Sequence, residues 1–165
     1  MALYAYLQLK GQKTGPVTGS VTQKGREGRI LVEAVSHEVL TPRDPATGMA
    51  SGKRIHKPIT VQKPLDRSSP VLYQMLVNNE TITQWELQFW TPQIKAAGGT
   101  GAEVQHYTVR LTNAHIVDIR FSHNAIDAVL GKLAEQEEVS FTYQRIEWIW
   151  VDGGITAFDD VNAPG

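Results

Sequence analysis

Apolar and polar residues alternate along most of the chain, which is the pattern of β-strands that bury one of their two faces. In the first such run, Ala5, Leu7 and Leu9 alternate with polar or aromatic neighbours. Similar runs predict extended segments at residues 3–10, 17–22, 30–40, 54–63, 81–90, 104–112, 117–121 and 138–151. The predicted fold is therefore mainly β, an antiparallel β-barrel or sandwich of two sheets.

Two of these segments carry a signal that their pairing is irregular. In residues 138–151 the apolar residues occupy odd-numbered positions up to Tyr143 and even-numbered positions from Ile146 onward. Such a slip predicts either a β-bulge or a strand that is shared between two environments. In residues 54–63, Pro58 cannot donate a ladder hydrogen bond, which predicts a sheet edge or a bulge there.

One short α-helix is predicted to flank the sheets. Ser69 can cap the free amide groups of its first turn, and Pro70 suits the first helical position. Asn78 and Asn79 supply a plausible end for this helix. A second short helix is predicted at residues 124–134, where apolar residues recur at helical spacing.

The segment TPRDPATGMASGK, residues 41–53, interrupts the periodic pattern with two prolines and two glycines. Loops of this length are uncommon inside compact domains and are usually functional or disordered. A long loop is therefore predicted there. A second flexible connection, between two strands, is predicted at residues 93–102, which are rich in glycine and alanine.

The composition fits one domain over residues 1–165. With 41% hydrophobic residues, the chain is long enough for one core and short for two. No run approaches the roughly 18 apolar residues of a membrane-spanning helix, so no membrane insertion is expected. The N-terminal residues show no export signal. The absence of cysteine excludes disulfides, thiolate nucleophiles and cysteine-based zinc sites.

The net charge of −1 argues against a nucleic-acid partner or an anionic membrane, since both reward a strongly basic surface. The distribution is asymmetric, however. Residues 1–67 contain eleven basic and five acidic side chains, and residues 68–165 contain five and twelve. Opposite charges on two surfaces would favour head-to-tail stacking of subunits. Alternatively, the two halves interleave in one fold and the asymmetry disappears in space.

No catalytic residue, cofactor site or metal site is predicted. Residues 48–54 resemble a phosphate-binding loop, but the segment is one residue short and ends in Arg54 where Ser or Thr is required. The five histidines do not pair at spacings that place two imidazoles on one face. The acidic runs at residues 135–138 and 159–160 are interpreted as solvent-facing, because adjacent solvated carboxylates seldom have the raised pKa that catalysis needs.

Seven stretches, taken in order, cover nearly the whole chain and carry a resemblance to one protein family. They are AYLQLKGQKTG (5–15), GSVTQKGREG (19–28), AVSHEVLTPRDPATG (34–48), SGKRIHKPITVQKPLDRSSPVLYQ (51–74), WELQFW (85–90), YTVRLTNAHIVDIRF (107–121) and EEVSFTYQRIEWIWVDGGITAFDDV (137–161). On these stretches the chain resembles the haemolysin-coregulated protein (Hcp) family of type VI secretion.

The resemblance implies a non-enzymatic subunit of a secretion tube. It implies a two-sheet β-barrel with a flanking helix, six copies of which form a ring with a central channel. Stacked rings would form the inner tube, in contact with the type VI sheath and tip (spike) proteins, and would carry or chaperone small effectors. The protein would be assembled in the bacterial cytoplasm and secreted through the type VI apparatus without a signal peptide.

The resemblance also implies roles for particular residues. The predicted long loop would be the family's protruding arm, which contacts neighbouring subunits. Its candidate contact residues are Thr41, Pro42, Arg43, Asp44, Thr47, Gly48, Ser51, Gly52 and Lys53. The segment 30–40 would contribute to the channel wall, which makes Ser36 a candidate lumen residue.

Four tryptophans lie on segments with apolar residues on both faces. A strand that is apolar on both faces indicates a subunit surface, so these residues are candidate interface aromatics. They are Trp85, Trp90, Trp148 and Trp150. Alternatively, one tryptophan of each pair covers a loop or helix. A rival from another class is a free-standing ligand- or carbohydrate-binding β-barrel whose aromatic residues line its mouth.

Overall fold

The computed structural model describes residues 4–92, 103–124 and 135–164. The predicted connection at residues 93–102 and, apart from Asn124, the predicted second helix lie outside this range. The described elements are β1 Ala5–Gly11, β2 Gly15–Pro16, β3 Ile30–Val32, β4 Ala34–Ser36, β5 Val39–Leu40, β6 Ile55–His56, β7 Ile59–Pro64, α1 Ser69–Val77, β8 Ile82–Pro92, β9 Glu103–Thr112, β10 His115–His123, β11 Glu135–Thr142, β12 Arg145–Trp150 and β13 Ile155–Asp160.

These strands form two main antiparallel sheets, which confirms the predicted mainly β fold. The seven-stranded sheet has the order β13-β12-β9-β8-β1-β2, and β3 pairs with β1. The four-stranded sheet has the order β10-β11-β7-β4. Strands β5 and β6 pair with each other in a separate two-stranded sheet. Across the described residues both main sheets stay open, so the strands do not close into a barrel.

One apolar core joins the two main sheets. Leu7 and Leu87 of the seven-stranded sheet and Val61 of the four-stranded sheet are fully buried in it. The rings of Trp85 and Phe141, one from each sheet, meet edge-to-face with their centroids 5.4 Å apart. Burial of such large side chains is the main favourable contribution to folding.

The segment 30–40 was predicted as one strand, and this prediction is wrong. A bend at Glu33 separates β3 in the seven-stranded sheet from β4 in the four-stranded sheet. The backbone amide of Glu33 donates to the carbonyl oxygen of Gln62, 2.8 Å away, which begins the pairing of β4 with β7. The chain therefore crosses from one sheet to the other while it remains extended.

A similar crossing occurs in the segment 138–151. Strand β11 belongs to the four-stranded sheet, β12 belongs to the seven-stranded sheet, and Tyr143 and Gln144 connect them. The shift in apolar phase therefore marks a change of environment, which was one of the two alternatives. Pro58 likewise separates β6 from β7, and the strand expected at residues 17–22 is absent there, since β2 ends at Pro16.

Helix α1 forms where the sequence predicts it, but Ser69 is not its cap. Ser68 occupies the N-cap position, and Pro70 lies in the first turn. The hydroxyl of Ser69 instead contacts the side chains of Lys63 and Glu137. Leu72 and Met75 face the core and are 1% exposed. These two residues hold the helix against the sheets.

Candidate functional site

The predicted long loop is an ordered β-hairpin, which we call the arm and define as residues 37–57. Strands β5 and β6 form its base, and Arg43 and Ala50 form a further antiparallel bridge. The amide of Ser51 donates to the carbonyl oxygen of Pro42 at 2.9 Å. A hairpin with its own ladder can keep its shape while it protrudes from the sheets.

The tip of the arm satisfies its own polar groups. The amide of Gly48 donates to the carbonyl oxygen of Asp44 at 2.8 Å, and the amide of Ala46 donates to the Asp44 carboxylate at 2.7 Å. Gly48 has a φ of 71°, a left-handed conformation that glycine adopts without strain. The tip therefore holds its turn with hydrogen bonds of its own.

The arm exposes apolar side chains. Met49 at the tip is 69% exposed, and Val39 and Ile55 of the base are also exposed. Apolar groups gathered on a protruding segment are typical of a surface that contacts another protein. The predicted contact residues of the arm are exposed as well, except Pro42 and Asp44, which are half-buried.

A cluster that we call the arm root joins the arm to the two main sheets. It comprises His37, Arg54 and His56 of the arm, Tyr143 between β11 and β12, and Asp159 of β13. The Tyr143 hydroxyl lies 2.7 Å from His37 Nε2 and 2.8 Å from His56 Nδ1. His56 Nε2 lies 2.6 Å from the Asp159 carboxylate. Both strands at the base of the arm are thus attached to one phenol.

Arg54 adds a second attachment between the arm and β13. Its guanidinium forms an ion pair with the Asp159 carboxylate and donates to the carbonyl oxygens of Asp160, at 2.9 Å, and Ala163, at 3.2 Å. The hydrogen bond from Arg54 holds the pKa of Asp159 below its usual range, despite the opposing effect of burial. Asp159 is half-buried and paired with Arg54 and His56, so its interpretation as a solvent-facing acid is wrong.

The hydrogen-bonded series Tyr143–His56–Asp159 resembles the acid–base relay of an enzyme. The direction in which the pKa of Tyr143 is shifted favours a structural role instead. Burial, together with the charge of Asp159, raises the pKa of Tyr143. A nucleophile needs the opposite shift, toward the ionised form. In the parts of the chain that the structure describes, no three His, Asp or Glu side chains are grouped to hold a metal ion.

The outer strand β13 presents a second candidate contact surface. Among the described strands it pairs only with β12, and Ile155 and Phe158 are 67% and 63% exposed. In the other main sheet, the edge strand β10 exposes Val117 and Phe121. An unpaired edge that carries apolar side chains is a template for association with another chain.

The four tryptophans do not share one environment. Trp85 is 0% exposed within the core, so its prediction as an interface residue is wrong. The guanidinium carbon of Arg26 lies over the Trp90 ring, 4.3 Å from the centre of that ring. Trp148 packs against the core. Trp150 is exposed beside β13 and fits a contact surface best. Alternation identified which residues share a face, but not which face is buried.

Ser36 is exposed at the end of β4, an edge strand of the four-stranded sheet. An exposed position is what a lumen residue requires, and its facing the lumen stays a prediction.

The sequence interpretation missed a buried ion pair. Lys63 and Glu137 are 0% and 1% exposed and lie 2.7 Å apart, so Glu137 does not face solvent. Lys63 also contacts Asp66 at 3.2 Å. The sequence did contain a signal for the burial of Lys63, because Lys63 alternates in step with Ile59 and Val61, which are buried on the same face of β7.

Where the structure describes the chain, it contains no helix of the length and apolar character needed to cross a membrane.

Two open sheets, an exposed edge strand and a self-supporting arm define a β-sheet protein whose surfaces suit contact with other protein chains. The family model described as Type VI secretion system effector, Hcp, matches residues 6–150. The chain therefore belongs to the Hcp family of type VI secretion, which confirms the resemblance. This family consists of structural secreted proteins and is not known as a family of enzymes.

Individual relatives agree with this assignment. A protein of Pseudomonas aeruginosa named Major exported protein is 34% identical over 174 residues, covering 99% of this chain and 98% of the relative. A crystal structure of an Hcp protein has a TM-score of 0.87 at 25% identity and covers 99% of this chain and 100% of that one. The structure of Hcp1 from E. coli EAEC 042 has a TM-score of 0.82 at 31% identity, with 96% and 99% covered.

Proposed function

We propose that this chain is the structural subunit of a type VI secretion tube. Residues 1–165 act as one domain, six copies close into a ring, and rings stack into a tube that carries or chaperones small effectors. Membership of the Hcp family supports this function over that of a free-standing ligand-binding barrel. The observation that carries the proposal is the exposed, apolar outer strand β13, which pairs only with β12 among the described strands and so offers a sheet edge to a neighbour.

The arm supplies a second contact between subunits in this proposal. Its residues 41–53 reach a neighbouring subunit, with Met49 as an apolar anchor at the tip. Heterologous contacts of this kind, in which an arm on one subunit meets a different surface on the next, generate closed rings or open stacks. Trp150 and Ser36 then lie at a subunit contact and in the lumen, respectively.

The remaining partners follow from the same proposal. The tube is assembled in the bacterial cytoplasm, contacts the type VI sheath and spike proteins, and is secreted through the apparatus. The name of the P. aeruginosa relative, Major exported protein, supports secretion. The protein acts through its geometry and catalyses no reaction.

A charge placed on β13 tests the ring contact. We expect Ile155→Lys to lower the mass of the assembly, because the desolvated cation would oppose pairing at that edge. The matched control is Val77→Lys on α1, where the side chain is 72% exposed and lies outside β13. Light scattering should show rings for Val77→Lys and mainly smaller species for Ile155→Lys. Equal masses for the two variants would exclude β13 from the ring contact.

A further inference from the structure

Three charged side chains meet in the core beside the start of α1. Lys63 of β7 and Glu137 of β11 occupy directly opposite positions on neighbouring strands, and they are 0% and 1% exposed. Lys63 Nζ lies 2.7 Å from Glu137 Oε2 and 3.2 Å from the carboxylate of Asp66, whose side chain is 5% exposed. An amine is therefore held against two carboxyl groups at a place that water hardly reaches.

As an ion pair, this cluster leaves one polar atom unsatisfied. Glu137 Oε2 accepts from Lys63 Nζ and, at 2.8 Å, from the Ser69 hydroxyl. Glu137 Oε1 is buried too, but it has no hydrogen-bond partner among the described residues. A buried carboxylate oxygen without a donor destabilises the folded chain, and so does the removal of two ions from water.

An amide bond between the two side chains would remove both unfavourable contributions. The amide carries no charge, and its single carbonyl oxygen keeps the Ser69 hydroxyl as a donor. The remaining N–H can donate to the Asp66 carboxylate, which already lies 3.2 Å from Nζ. Because Lys63 and Glu137 are a directly opposite pair on antiparallel strands, the bond requires no change in strand register.

We propose that Lys63 and Glu137 condense into an intramolecular amide that joins β7 to β11 covalently. Nζ of Lys63 attacks Cδ of Glu137, a C–N bond forms, and the bond from Cδ to Oε1 breaks. An ammonium group with three hydrogens and a carboxylate with two oxygens thus become one amide N–H, one carbonyl and one water. The two charges cancel, and the step needs no oxidant, reductant or other reactant.

The neighbouring groups lie where this reaction needs them. The Asp66 carboxylate, 3.2 Å from Nζ, takes the proton that the amine must lose before its lone pair can attack. The Ser69 hydroxyl donates to Oε2, where negative charge develops during the attack. Oε1 leaves as water with the two protons that Nζ gives up. The fixed contact supplies proximity, and burial protects the finished amide from hydrolysis.

Glu137, rather than Asp66, is the carboxyl group that becomes the amide. The Asp66 carboxylate is already held by two donors, the backbone amide of Ser68 at 2.9 Å and the Ser68 hydroxyl. These hydrogen bonds fix it in place as a proton acceptor. Glu137, in contrast, has one oxygen without a donor among the described residues, and this oxygen is the one that leaves.

Mass spectrometry of the unfolded protein tests the bond, because an ion pair separates in denaturant and an amide does not. We expect the parent chain to lack the mass of one water molecule. Trypsin does not cleave before proline, so Lys63 stays inside the peptide 55–67, and Glu137 lies in the peptide 133–145. These two peptides should be recovered as one linked species. A chain of full mass, or a loss of water confined to the peptide 55–67, overturns the proposal.

An exposed ion pair in the same chain is the matched control. Lys57 and Glu38 have a similar N···O separation of 3.2 Å, but their side chains are 49% and 57% exposed. Their peptides, 55–67 and 30–43, should not be linked to each other. A link between them at the yield of the buried pair would show that contact alone gives the product, and it would overturn the proposal.

A substitution at Asp66 tests its role as the proton acceptor. Asp66→Asn keeps an oxygen that can accept from Ser68 but removes the carboxylate. In samples taken at increasing times after synthesis, its linked peptide should form at least about 100-fold more slowly than that of the parent. Formation at the parent rate contradicts the role of Asp66. The measurement on the parent decides whether the bond exists even if this variant does not fold.

The amide does not depend on the proposed tube, because both side chains belong to one chain. It should form equally in a monomer and in a ring, and light scattering of the same samples separates the two ideas. A ring whose chains have full mass supports the tube and overturns the amide. A monomer that carries the linked peptides supports the amide and contradicts the ring.

Discussion

Lys63 and Glu137 show how much the fold depends on single buried side chains. Together with Asp66 and Ser69 they link β7, β11 and the start of α1. A buried charge is tolerated only while its partner is present. Strand alternation placed Lys63 on the inward face, but the partner lies 74 positions along the chain and no local pattern reveals it. The composition of a site that is assembled from distant segments is therefore hidden from sequence periodicity.

We expect Lys63→Met to lower the free energy of unfolding by about 3–5 kcal/mol, because it leaves the Glu137 carboxylate buried without its cation. The matched control is Lys57→Met, which removes an exposed ion pair with Glu38 and should cost about 1 kcal/mol or less. Urea denaturation of both variants measures the difference. Equal losses for the two substitutions would show that the buried pair does not stabilise the fold.

The elements of the fold were largely visible in the sequence, whereas their boundaries were not. Period-two alternation predicted the extended segments, and Pro70 marked the helix. The crossing at Glu33 was missed, because the chain stays extended when it passes between sheets, whereas the shift in apolar phase around Tyr143 had indicated a change of environment as one of two alternatives. Only the phase of burial changes there. The arm was predicted as an irregular loop, since its hairpin is built from backbone hydrogen bonds rather than from alternating side chains.

Shortening the arm tests its role as a separate element. Pro42 and Ser51 are hydrogen bonded across the hairpin, so residues 43–50 can be replaced by an Asn-Gly turn. We expect the thermal unfolding midpoint to change little, because none of the removed residues belongs to the core. Ring mass or ring stacking should decrease. A shortened protein that forms rings and tubes as readily as the parent would contradict the contact role of the arm.

At the scale of the whole molecule, the basic first part and the acidic second part of the sequence occupy opposite sides of each main sheet. Strand β1 of the basic half pairs with β8 of the acidic half, and β7 pairs with β11 in the same way. Among the described strands these are the one junction between the halves in each main sheet, so the alternative that the two halves interleave is not confirmed. The family, by contrast, was recognisable from ordered stretches spread over nearly the whole chain, and the family match confirms it.

The mass of the protein in solution tests the tube proposal most directly. Six copies of the 18.3 kDa chain amount to about 110 kDa, the mass expected of one closed ring. We expect light scattering to give this mass, or multiples of it, across a wide range of protein concentrations at neutral pH. A single species of 18.3 kDa at every concentration would contradict a ring-forming subunit.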